Sequence, residues 1–167
     1  MTHKMPALAA LPTFSPDSRV WVYTADRTLT PDESARAQRH LEAFCQQWTA
    51  HNQALLATAE VFENQFVILM VDETRAGASG CSIDKSVHFL EQLGAEIGAD
   101  FFERMRFAWV DAQGGIQFAN RPAFAQLVAE GRIAPDTLVA DTLVQTKQQL
   151  AEKWLVPFGK SWHRRLV

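Results

Sequence analysis

Phe66-Val-Ile-Leu-Met-Val71 is an unbroken apolar run bounded by polar turns. It is too short to span a membrane, so it reads as a β-strand covered on both faces. Asp72 and Glu73 end it. The segment from Thr74 to Gly80, with its glycines, alanines and serine, is a loop. Helical periodicity then begins, with Ile83, Val87, Leu90, Leu93 and Ile97 on the apolar side. Ser79 or Ser82 can cap this helix by accepting from a first-turn N–H.

The other side of the helix carries Cys81, Asp84, Lys85, His88 and Gln92 in one polar stripe. Cys81 falls at or just before the first turn. There the unpaired N–H groups and the helix dipole favour a thiolate, and Lys85 one turn on adds to that. His88, two turns on, lies too far along the axis to touch the sulfur. If this loop holds a ligand, Ser79, Gly80 and Ser82 are the binding candidates beside Cys81. The plainer reading is a solvated face of an amphipathic helix, and it is the stronger one, because position in a fold does not confer function. A strand, glycines and Lys85-Ser86 also outline a phosphate loop. That motif needs glycine where this chain has Ser79 and Asp84, and a carboxylate beside the lysine repels phosphate, which argues against an ATPase.

Before the central run, Arg19 to Thr24 is rich in aromatic and β-branched residues and reads as a strand. Thr30-Pro-Asp-Glu33 is a capping box with proline in the first turn, opening a helix that buries Ala37, Leu41, Phe44, Cys45 and Trp48. His51 falls in an exposed polar turn. Ala54 to Phe62 and Phe66 to Val71 form a hairpin about Glu63-Asn-Gln65. After the second helix, Arg104 to Val110 alternates as a strand. Strand, helix, strand, strand, helix, strand is the α+β, ferredoxin-like order, an antiparallel sheet with two helices on one face. Residues 18–111 form this core. Residues 112–167 form a small α/β C-terminal extension packed on it, with strands at Ile116–Ala119 and Asp136–Ala140 and helices capped by Asn120 and Thr146. Residues 1–17 are expected to be poorly ordered or to lie extended on the surface.

The chain has 167 residues and a net charge of −3, which suits one globular unit and gives no global signal for nucleic acid. From Lys147 on, five basic residues stand against one acid, Glu152, so the tail could meet an acidic surface. Two cysteines do not make a disulfide framework, and neither a signal peptide nor a membrane span is evident. The cytoplasm is the expected compartment.

Three stretches together resemble a family of uncharacterised bacterial proteins of about this length: Gln47-Trp-Thr-Ala-His51, Gly80-Cys-Ser-Ile-Asp-Lys-Ser86 and Lys160-Ser-Trp-His-Arg164. Members often carry the automatic label "ABC transporter ATPase". The resemblance implies no activity for any residue here, and the chain lacks both the Walker A loop and an LSGGQ-type signature. Separately, Leu127-Val-Ala-Glu-Gly-Arg-Ile-Ala-Pro-Asp-Thr-Leu-Val139 is similar to the central segment of GYF-like interaction domains, within a stretch from about Phe107 to Leu143. That likeness implies a small sheet and helix for protein contact. The aromatic triplet of those domains is absent, which counts against proline-rich peptides as ligands.

Two functions compete. The first is a non-enzymatic binding or regulatory protein acting through protein contacts, with Trp154, Trp162, His163 and Arg164 as an aromatic and basic anchor set. Its partner is unidentified, and a homo-oligomer stays open. The second is a cysteine-dependent enzyme or redox sensor at Cys81, with Asp84, Lys85 and His88 nearby. No general base is tied to Cys81 by spacing, and there is no Cys-x-x-Cys pair. Metal binding by Asp72, Glu73 and Asp84 is weaker, since no ligand motif is present. No cofactor is called for. Nucleic acid is disfavoured by the acidic charge and the missing RNP aromatics.

Overall fold

A computed structural model describes residues 3–167. The chain is α+β. Its strands are β1 (Arg19–Thr24), β2 (Thr49–Ala50), β3 (Gln53–Ala54), β4 (Leu56–Phe62), β5 (Phe66–Asp72), β6 (Phe107–Val110), β7 (Ile116–Ala119), β8 (Leu138–Ala140) and β9 (Leu155–Pro157). Its helices are α1 (Pro31–Gln47), α2 (Gly80–Ile97), α3 (Arg121–Ala129) and α4 (Lys147–Lys153).

All seven residues of β5 are buried. The strand lies between β1 and β4, antiparallel to both, with Val22 opposite Ile68 and Ala59 opposite Leu69. The pleat sends Val67, Leu69 and Val71 toward α1 and α2, where they meet Leu41, Trp48, Leu90 and Leu93. It sends Phe66, Ile68 and Met70 the other way, against Ala108, Ala140, Leu150 and Trp154 of the C-terminal half. The central sheet is therefore the middle of three layers. The third layer is the sheet β7-β6-β8-β9, which has its own core around Phe107, Trp109, Phe124 and Ile133.

The capping signals act as their sequences imply. Thr30 Oγ1 accepts from Glu33 N, and Thr30 N donates to Glu33 Oε1. Glu33 also takes a two-pronged bond from Arg27, at 2.9 and 2.8 Å. That bond first, and the Thr30 N–H second, hold the Glu33 carboxyl down at about 2. Arg27 reaches on to the Gly98 carbonyl and so links the start of α1 to the end of α2.

Three expectations need correction. The central sheet has three strands, and the segment expected as its fourth, shortened to Phe107–Val110, pairs with β7 and β8 instead. Residues 101–106 are spent crossing between layers, held by Arg106, whose guanidinium donates to Ala25 O and Gln65 Oε1 and lies over the Phe118 ring. The second correction is N-terminal. Within residues 3–17, Leu8 and Phe14 are buried in the core beneath the central sheet, and Lys147 Nζ donates to the Leu11 and Phe14 carbonyls. Third, α2 is turned from its expected face. Ser82 and Ser86 are buried, while Ile83 and Val87 are half-buried. The small serines let the helix lie close to its neighbours, and the Ser86 hydroxyl is satisfied by donating to Ile83 O at 2.6 Å.

The end of α2 turns through Gly98, which has φ +81°, and returns the chain so tightly that a Cβ on Gly94 would lie 2.4 Å from the Ala99 carbonyl oxygen. Gly94→Ala should therefore cost about 1–3 kcal/mol. Gly80→Ala, where a Cβ meets nothing within 4 Å, should be neutral or stabilising within about 1 kcal/mol. Urea denaturation of the two variants checks this contrast.

Candidate functional site

The run from Ser79 to Ser82 is a reciprocal cap. Ser82 N donates to Ser79 Oγ at 3.1 Å, Ser79 N donates to Ser82 Oγ at 2.7 Å, and the Ser82 hydroxyl donates to Ser79 O. The buried Ser82 carbonyl accepts from Trp48 Nε1 at 2.8 Å. Trp48 packs in turn on Trp21 and Phe44. Two of the unusual sequence stretches, the one holding Trp48 and the one holding Ser82, are thus joined by one bond that locks the end of α1 to the start of α2. Ser79, Gly80 and Ser82 shape a helix entry.

Cys81 is exposed on the second residue of α2. Asp84, Lys85 and His88 are also exposed, and no hydrogen bond or ion pair joins any of them to the sulfur or to one another among the described residues. His88 Nδ1 lies 3.8 Å from Glu91. His51 sits exposed in the β2–β3 turn. The structure brings no general base to Cys81. Cys45 is buried against α1's neighbours, and burial, then Glu42, push its thiol up to about 12. Two of the three acids considered as metal ligands, Asp72 and Glu73, are occupied, and the third, Asp84, is exposed. Asp72 accepts from Ser15 N and Thr74 N, chiefly the former, which lowers its carboxyl, and Glu73 accepts from Ala78 N. Among the described residues no three His, Cys, Asp or Glu side chains converge as a metal site.

The C-terminal candidates separate. Trp154 is fully buried, with its ring edge-on to Phe62 and Phe66. His163 is buried between Trp162, stacked at 3.8 Å, and Phe124. Its Nδ1 pairs with the Ser161 hydroxyl. Arg164 is exposed. Trp162 is half-buried. Its Nε1 donates to Asp141 Oδ1 at 3.0 Å and its ring meets Phe107 edge-on. Its remaining surface lines a cleft.

That cleft, about 400 Å³, lies along the outer edge of β1, between the central sheet and the third layer. Its lining includes Val22, Tyr23, Phe102, Arg104, Phe107, Leu143 and Trp162. Leu143 is 63% exposed at its rim. The sequence flagged Trp162 but not the cleft, because its other wall comes from residues some 140 positions earlier. No known protein family, curated protein or solved structure matches this chain. No helix among the described residues is long and apolar enough to cross a membrane.

Burial drives the His163 pKa down to about 4, with Asp141 opposing. The unfolded chain then binds more protons than the folded one between about pH 6.5 and 4, so stability falls as pH falls through that window. Between pH 7.5 and 5 this group should remove about 2 kcal/mol. The loss should be absent from His163→Leu, read as the difference in urea unfolding free energy between the two proteins at the two pH values.

Proposed function

We propose that this protein is a non-enzymatic binding protein that works through contact with another polypeptide. The observation that carries the reading is the cleft beside β1, whose walls combine an exposed leucine, half-buried Trp162 and an arginine with no ion pair among the described residues. Surfaces of this composition, aromatic and arginine-bearing, are those enriched at protein interfaces.

The strand order β1-β5-β4 under two helices supports a ferredoxin-like origin for residues 18–111, with β1's outer edge in the place where a fourth strand would pair. In the C-terminal part, α3, the left-handed Gly131, buried Ile133 and β8 support the GYF-like reading of Leu127–Val139. The Trp48–Ser82 bond, which joins two of the three stretches that carry the family resemblance, supports that resemblance as part of the same proposal. Two free thiols suit a reducing, cytoplasmic setting.

The alternative, a cysteine-dependent activity, has one observation in its favour, which is exposure of Cys81 on the first turn of α2. Among the described residues no base and no second thiol is bonded to Cys81. The two readings separate in a pull-down from a lysate of the protein's own cells. Wild type and Cys81→Ser should retain the same partner, and the double variant Arg104→Glu/Leu143→Asp should lose it. Loss of the partner on Cys81→Ser, or no partner retained by wild type, would contradict the proposal, and retention by the double variant would place the contact outside the cleft.

A further inference from the structure

Building on that binding reading, we propose that the cleft receives a short extended segment of a partner polypeptide, paired through its backbone to Val22 and presenting a carboxylate side chain to Arg104.

Each residue of β1 aims its N–H and C=O together, either at β5 or away from it. Ala25 N donates to Gln65 O at 2.8 Å, on the β5 side. Val20 N donates to Gln145 O at 3.0 Å, and Thr24 O accepts from Glu103 N at 3.2 Å, both on the outer side. Val20, Val22 and Thr24 therefore face outward, and Trp21 and Tyr23 face β5. The chain supplies outer partners at both ends of β1 and none for Val22 among the described residues. A donor and an acceptor on one residue, aimed the same way along an open edge, match the acceptor and donor of a facing peptide unit.

The chain's own bonds also limit the occupant. From Val20 to Thr24 the edge is about 13 Å long at about 3.3 Å per residue. Both ends are taken, by Gln145–Thr146 and by Phe102–Glu103. A long strand cannot run through. A segment of about three residues fits, arriving and leaving by the open side.

Side chains set the chemistry. Leu143 and Trp162 offer apolar surface to one residue of the segment. Among the charged groups of the lining, Arg106 already donates to Ala25 O and Gln65 Oε1, and Glu103 accepts from Met105 N at 2.7 Å. Arg104 is exposed with no ion pair or hydrogen bond among the described residues. A carboxylate on the segment completes it, by the two-pronged geometry that arginine favours.

The test is a library of random heptapeptides displayed on phage, selected on the full chain, with the enriched peptides synthesised and titrated calorimetrically. The expected peptides carry an Asp or Glu within three positions of an aliphatic or aromatic residue. Val22→Pro removes the outward N–H without touching the bonds to β5, a substitution edge strands tolerate. It should weaken binding at least tenfold, as should Arg104→Glu. Leu143→Asp should weaken it by a similar factor. If Val22→Pro fails to fold, the two exposed-residue variants decide the matter. Binding unchanged in all three variants would overturn the inference while leaving the protein a binding module at another surface. No enriched peptide would overturn the peptide occupant, and the pull-down above then decides separately whether the binding reading survives. A dimer in light scattering that Val22→Pro dissociates would replace the partner with a second copy of this chain.

Discussion

The whole arrangement depends on burying β5 from both sides. A strand with no polar face cannot border water on either side, and each of its large side chains is worth about 1.5–3 kcal/mol when removed from solvent. One layer, the two helices, covers Val67, Leu69 and Val71. The other face, Phe66, Ile68 and Met70, needs its own cover, and the C-terminal half with the N-terminal Leu8 and Phe14 supplies it. The C-terminal residues are therefore part of the central sheet's stability, and so is the lysine that ties the N-terminal segment down.

That division of labour accounts for the pairing of Phe107–Val110 in the third layer rather than on the edge of β1. To cover the second face, the chain after α2 has to cross beneath the sheet and build a layer of its own. It touches β1 only in passing, at Phe102–Glu103, before β6 begins. The C-terminal half returns to the same edge at Gln145–Thr146. The open stretch at Val22 is what two short visits leave between them.

Much of this was legible in the sequence. The two-faced strand, the Thr30 and Asn120 caps, the hairpin about Glu63–Asn64 and the glycine at the end of α3 all follow from local rules, and each is found where its residues place it. The sheet assignment of Phe107–Val110 was not legible, because an alternating strand carries no mark of which partner it pairs with. The buried face of α2 is hidden in the sequence because serines count as polar, although Ser82 and Ser86 satisfy their hydroxyls locally and can be buried. In the Gly80–Ser86 run the serines cap or pack the helix and the Ser82 carbonyl takes the Trp48 bond, while Cys81, Asp84 and Lys85 are exposed. The cleft was beyond reach, since it unites residues from both ends of the chain.

Strand β1 is paired along its inner side, and among the described residues its outer side is open at Val22. Residue-resolved amide hydrogen exchange on the free protein tests it most directly. Strong protection is expected at Trp21 and Tyr23, which donate to β5, and exchange orders of magnitude faster at Val22 between them. Protection at Val22 equal to that of its neighbours would mean that the edge is closed, and would contradict both the layer crossing described above and the site built on it.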